Sequence, residues 1–255
     1  MTKGNSLFKI DKKIVLITGV SGQLGEAFAK LYLENGCIVY GVDIKKNKLK
    51  NKKYVFLKSD ITKKKNISKI LNHIIKVHKK IDILINNAAV SYFSELINRN
   101  DKEIDKTYEV NLKSVINLIT EYFKIHKIKK LKSSRIINIG SIYGVNSPDF
   151  KIYSKGDRFS SDIYGATKAG VIQITKYYSV LLAKHNILIN TISPGGIKNK
   201  KIQNKKFQSK YSKIVPLSRM GNVEDLFTAL LFLSSDNTSY ITGQNLIIDG
   251  GLTIK

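Results

Sequence analysis

The chain has 255 residues, 42% hydrophobic and 25% charged, enough for one well-buried α/β domain and too short for two of ordinary size with a linker. Its 44 Lys and Arg against 19 Asp and Glu give a formal charge of +25, which invites a nucleic-acid reading. Only Arg99, Arg135, Arg158 and Arg219 are arginines, whereas bidentate recognition of phosphates and bases favours Arg, so specific nucleic-acid binding is set aside.

The elements alternate along the chain. "KKIVLITG" (12–19) is a β-branched run ending in Gly, and "QLGEAFAKLYLENG" follows with helical spacing until Gly36. Strands are predicted at 37–43 and 54–60, a helix at 66–79, a strand at 81–87, and a long helix from Asp101 to about 128. Then come a strand at 134–141, a helix at 162–184, a strand at 187–193, a helix at 222–233 and a strand at 245–250. Strands that read as continuous apolar runs between helices predict a parallel sheet covered on both faces. Ligands of such sheets bind beyond the carboxyl ends of the strands, where the strand order reverses. Three irregular stretches remain, at 44–53, 143–161 and 196–215.

The start, "MTKGNSLFKIDKK", has no signal-peptide core, which predicts a cytoplasmic chain without a membrane partner. Cys37 sits alone in an apolar run and reads as a buried, inert thiol. His73, His78, His126 and His185 are too scattered for a metal centre, so no metal is expected.

"TGVSGQLG" (18–25) joins the first strand to the first helix, which lets backbone N–H groups face a pyrophosphate at a helix N-terminus. Asp43, ending the second strand, is placed to accept hydrogen bonds from an adenosine ribose. Its charge disfavours a 2'-phosphate, so NAD is expected rather than NADP; Lys45 and Lys46 weaken that preference without reversing it.

With 13 tyrosines among so many lysines, about two Tyr-x-x-x-Lys matches arise by chance. Tyr54 and Lys58 form one, but they share a predicted strand, where residues four apart are roughly 13 Å distant. Tyr164 and Lys168 share a helix face instead. A free phenol with pKa near 10 is a poor base until a cation lowers that value, and Lys168 is positioned to be such a cation. Ser141 ends the fifth strand at the same sheet edge, where its hydroxyl could hold a substrate oxygen. Asn111 lies inside the long predicted helix, where an amide has low propensity and reads most simply as an exposed polar residue.

Taken together, "TGVSGQLG", Asp60, "NNAA" (86–89), Asn111, Ser141, "YGATK", "SPGGI" (193–197), "PLSRMGNVEDL" and "ITGQNLIIDGG" resemble the classical short-chain dehydrogenase/reductase family nearly end to end. The resemblance implies a single Rossmann-type domain over 1–255, a doubly wound parallel sheet of about seven strands. It implies Tyr164 as acid/base, Lys168 binding ribose and tuning Tyr164, Ser141 orienting substrate, and Asn111 supporting a proton-relay water. It further implies a cofactor set of Gly19, Ser21, Gly22, Gln23, Leu24, Asp43, Asp60, Ile61, Asn87, Ala88, Ala89, Tyr164, Lys168, Pro194, Gly195 and Ile197, and a homotetramer or homodimer. The chain departs from the family's T-G-x-x-x-G-x-G pattern, with Gly22 in the middle and Gln23 at the usual glycine. It also has a long segment, 143–161, between Ser141 and Tyr164.

That insertion, with the glycine turn and "SPGGI", looks like a subgroup of oxidoreductases from bacterial surface-glycan and flagellin-modification pathways that make nonulosonic and related amino sugars. The implied substrate is then a sugar or an anionic, activated sugar, met by lysines of the substrate lid at 196–215. The rival expectations are a 3-oxoacyl-carrier-protein reductase and a cofactor-sensing regulator without chemistry.

Overall fold

The computed structural model describes residues 8–154, 160–199 and 201–255. Part of the amino-terminal stretch read for targeting, Arg158 in the insertion and Lys200 in the predicted lid lie outside the described residues.

Seven parallel strands form one sheet: β1 Ile14–Thr18, β2 Ile38–Asp43, β3 Tyr54–Lys58, β4 Ile83–Asn86, β5 Ser134–Ile139, β6 Ile187–Pro194 and β7 Asn245–Ile248. Their order is β3-β2-β1-β4-β5-β6-β7, the doubly wound topology with its reversal between β1 and β4. Register is set by apolar partners, Ile14 opposite Ile38 and Leu16 opposite Leu84.

Each strand divides its side chains between two cores, as a period of two requires. Ile14 and Leu16 of β1 pack with α2 (Lys64–His78), α4 (Ser114–Lys129) and α5 (Asp162–Leu182). Val15 and Ile17 face the opposite side, with α1 (Gln23–Glu34) and α7 (Phe227–Ser234). Each such buried aliphatic contributes about 1.5–3 kcal/mol relative to exposure. Cys37 is buried, its thiol donating to the Ile10 carbonyl at 3.1 Å and pushed up to about 12 by burial.

The long helix expected from Asp101 is interrupted. It runs as α3 (Asp101–Tyr108), a π-helical turn over Glu109–Lys113, and α4. The expected helix at 222–233 likewise opens with a tight turn over Val223–Leu226 before α7. Between β6 and β7 a further helix, α6 (Lys205–Ile214), buries Tyr211 in a small third core with Ile152, Val215 and Met220. Among the described residues no helix is long and apolar enough to cross a membrane.

Candidate active site

The turn after β1 is shaped by close approach. Gly19 has φ +68°, and a Cβ there would meet the Cα of Ala88 at 2.6 Å, so only glycine lets the ends of β1 and β4 come together. Asn87 ties the same ends, its amide donating to the carbonyls of Thr18 at 3.0 Å and Gly19 at 3.1 Å. Gly22 caps α1 without a side-chain acceptor, leaving the helix N-terminus open to a cleft of about 330 Å³.

That cleft sits at the strand-order reversal and collects most of the predicted cofactor set. Gly19, Gly22, Gln23 and Leu24 form one wall. Asp43, Asp60 and Ile61 line another, and Asn87, Ala88 and Ala89 a third. Ser21 lies just outside it, in an adjoining groove along α1. Pro194, Gly195 and Ile197 do not line it; Gly195 and Ile197 line a hollow at the carboxyl ends of β6 and β7.

The Asp43 carboxylate organises the turn itself, accepting from the backbone N–H of Ser21 at 3.0 Å and of Lys45 at 2.9 Å. Asp60 accepts from the backbone and hydroxyl of Thr62 at 2.9 and 2.8 Å. Burial pushes the Asp60 carboxyl up, but these bonds and the charges of Lys106 and Lys63 outweigh it and hold the pKa below the usual range. An uncapped helix N-terminus, a glycine cradle and a carboxylate at the end of β2 fit a dinucleotide.

Tyr164 and Lys168 project from the first turns of α5, whose N-terminus is capped by Ser161. Asn111 is not the exposed helix residue of its simplest reading. It is buried, and its amide closes on the backbone of Val90, accepting from the N–H at 2.8 Å and donating to the carbonyl at 2.9 Å. The π turn carrying it displaces the side chain from the helical register into that contact.

Ser141 stands just past β5 and is buried. Its Oγ accepts from the N–H of Tyr143 at 3.1 Å, and its hydroxyl lies near enough to the Tyr164 phenol to favour the phenolate. The loop and helix touch because residue 144 is glycine: a Cβ there would meet the carbonyl carbon of Lys168 at 2.7 Å. Below them, Asn138 donates to Thr175 at 2.8 Å, fixing α5 on the sheet.

Burial pushes the Tyr164 phenol up, and the Ser141 hydroxyl only partly offsets this. Lys168 is itself pushed down to about 8 by burial, and its ammonium donates to the Ile139 carbonyl at 2.7 Å.

Tyr164 also lines a second cleft, of about 590 Å³. Its walls join three parts of the chain: Ser91 and Phe93 after β4, Tyr143 and Tyr153 of the insertion, and Gln203, Phe207 and Tyr211 around α6. The Tyr153 and Phe207 rings pack at 5.5 Å, and the Tyr143 and Tyr153 hydroxyls lie 3.1 Å apart. None of these aromatics was singled out from the sequence; the recurrence of aromatics at 143, 150, 153, 207 and 211 was the available signal. Of the described lid lysines, Lys201 lines this cleft, while Lys205, Lys206 and Lys213 are exposed.

Comparisons with known proteins bear on the family and the fold. The profile of the family described as enoyl-(acyl carrier protein) reductase matches residues 19–253. A 3-oxoacyl-[acyl-carrier-protein] reductase, FabG, of Thermotoga maritima is 33% identical, covering 96% of this chain and 100% of that protein. An NAD-dependent glycerol dehydrogenase of Listeria innocua is 34% identical over 97% of this chain and 96% of its own. The crystal structure of a short chain dehydrogenase from Leptospira borgpetersenii with bound NAD+ superposes with a TM-score of 0.92. It is 38% identical and covers 100% of this chain and 98% of its own.

Proposed function

The chain belongs to the short-chain dehydrogenase/reductase family of oxidoreductases, and from that premise we propose that it interconverts a secondary alcohol and a ketone on a sugar or sugar derivative, with NAD(H) as cofactor. The observation that carries the proposal is the meeting of Ser141, Tyr164 and Lys168, with Tyr164 in the wall of the second cleft. The first cleft holds the dinucleotide: its diphosphate at the N-terminus of α1, its adenosine ribose at Asp43, its adenine beside Asp60 and Ile61. When bound, NAD supplies the hydride acceptor and, in its oxidised ring, a positive charge near the phenol. Tyr164 exchanges the hydroxyl proton, Ser141 orients the substrate oxygen, and Lys168 donates to the ribose and adds positive charge beneath the ring.

Asn111 acts by holding Val90, and with it the segment that leads to Ser91 and Phe93 in the substrate cleft. Pro194 at the end of β6, with Gly195 and Ile197 just beyond it, shapes the nicotinamide end. The chain works as one dinucleotide-binding unit, with the described parts of the insertion and lid bordering the substrate mouth, in a cytoplasmic homotetramer or homodimer. NAD over NADP rests on the Asp43 carboxylate and agrees with the NAD+ of the Leptospira structure and the Listeria relative.

The sugar assignment, and the affiliation with glycan-modifying enzymes, rests on the insertion and on the character of the second cleft. Aromatic faces beside Ser91, Gln203 and Lys201 suit a polyhydroxylated ring, with Lys201 available to an anionic group. The relatives described as 3-oxoacyl-carrier-protein reductases favour a second reading, an acyl-thioester ketone as substrate. A dehydrogenase screen with NAD and NADP against sugars, nucleotide sugars and 3-oxoacyl thioesters decides between them. Turnover of a sugar with NAD supports the first reading; exclusive turnover of thioesters overturns it.

A further inference from the structure

Gln23 stands where the family pattern has glycine, and the structure gives its side chain partners that a glycine lacks. Its Nε2 donates to the carbonyl of Lys198 at 2.8 Å, and its Oε1 accepts from the Nδ2 of Asn199 at 2.8 Å. Asn199 is locked in turn: its backbone N–H donates to the Oε1 of Gln203 at 2.8 Å, while the Nε2 of Gln203 donates to the Ile197 carbonyl at 3.1 Å. The near end of this strap is anchored to the body of the protein, with the N–H of Lys198 donating to the Gly221 carbonyl at 2.8 Å.

Gln23 lines the first cleft and Gln203 the second. Three amide side chains therefore run from the first residue of α1 to the wall of the substrate cleft. They are uncharged, so they can sit beside a diphosphate without the repulsion of an acid or the tight ion pair of a lysine. Both Gln23 bonds are exposed, where each competes with water and holds only modestly. A fastening of that strength can open in every turnover.

We propose that Gln23 is a positioning residue which fastens Lys198 and Asn199, and through Asn199 the Gln203 wall, across the seat of the dinucleotide diphosphate. Release of the dinucleotide requires this fastening to open, and the Gln203 wall is held in place only while it is closed. The inference rests on the dinucleotide reading given above.

The test is the NADH dissociation rate, measured by stopped-flow displacement with excess ADP-ribose on the full chain. Wild type, Gln23→Gly, Asn199→Ala and the double variant are compared, with hydrogen exchange followed at 198–204. Gln23→Gly is expected to speed dissociation about tenfold and Asn199→Ala about fivefold, with the double variant matching Gln23→Gly because both remove one link. Exchange at 198–204 is expected to accelerate in all three variants. Off-rates within twofold of wild type in both single variants, or effects that multiply in the double variant, overturn the inference while leaving the dinucleotide reading intact. A wild-type protein that takes up no NADH removes both.

Discussion

The Lys168 ammonium lies 5.6 Å from the centroid of the Tyr164 ring while it donates a 2.7 Å hydrogen bond to the Ile139 carbonyl. The four-residue helical interval brings the two together, and the end of β5 holds the cation beneath the phenol. The arrangement stores an electrostatic cost, because the ammonium is buried and no carboxylate faces it as an ion-pair partner among the described residues.

That cost predicts a pH dependence of stability. Lys168 titrates at about 8 in the fold against its ordinary 10.5, so between these values the unfolded chain holds more protons. The penalty is fully present below about pH 8 and is relieved as pH rises toward 10.5. Urea unfolding at about pH 7 and about pH 10 should show wild type gaining about 2.5 kcal/mol relative to Lys168→Met. A difference that does not change with pH contradicts the burial of the charge.

Gly19→Ala should weaken NADH binding at least tenfold and lower stability by about 2 kcal/mol. The added carbon meets Ala88 at 2.6 Å on a backbone with φ +68°. Calorimetric titration with NADH and denaturant unfolding check the two effects separately.

Asn111→Ala leaves the N–H and carbonyl of Val90 without their side-chain partner inside the protein. A stability loss of about 3 kcal/mol is expected. The substrate KM should rise while the NADH affinity stays within about threefold, because the loosened segment leads to Ser91 and Phe93 rather than to the glycine turn. An unchanged unfolding curve argues against the clamp.

The parallel strands, the glycine turn and the Tyr164–Lys168 pair were legible in the sequence because each rests on local chemistry. Apolar runs such as "IVLIT" specify buried parallel strands, and four residues of helix specify a shared face. The π turn at Asn111 was not legible, since the residues around it carry ordinary helix propensities and the distortion answers to Val90, 21 positions away. The aromatic wall was missed for a similar reason: Tyr153 and Phe207 meet only after the insertion and α6 fold onto one another. The upward push on Tyr164 is also a tertiary effect, set by burial that spacing does not reveal.

Asp43→Asn should move the ratio of kcat/KM for NADP over NAD upward by about tenfold. The amide oxygen can keep one of the two backbone contacts, to Ser21 or Lys45, while removing the charge that a 2'-phosphate would meet. Steady-state kinetics with both cofactors read the shift, and an unaltered ratio removes Asp43 from cofactor selection.

The proton-transfer role of Tyr164 is tested most directly by Tyr164→Phe, comparing single-turnover hydride transfer with NADH affinity in the same preparation. A loss of about a thousandfold in rate, with NADH affinity within about threefold of wild type, is the predicted result. Retention of the wild-type rate contradicts it.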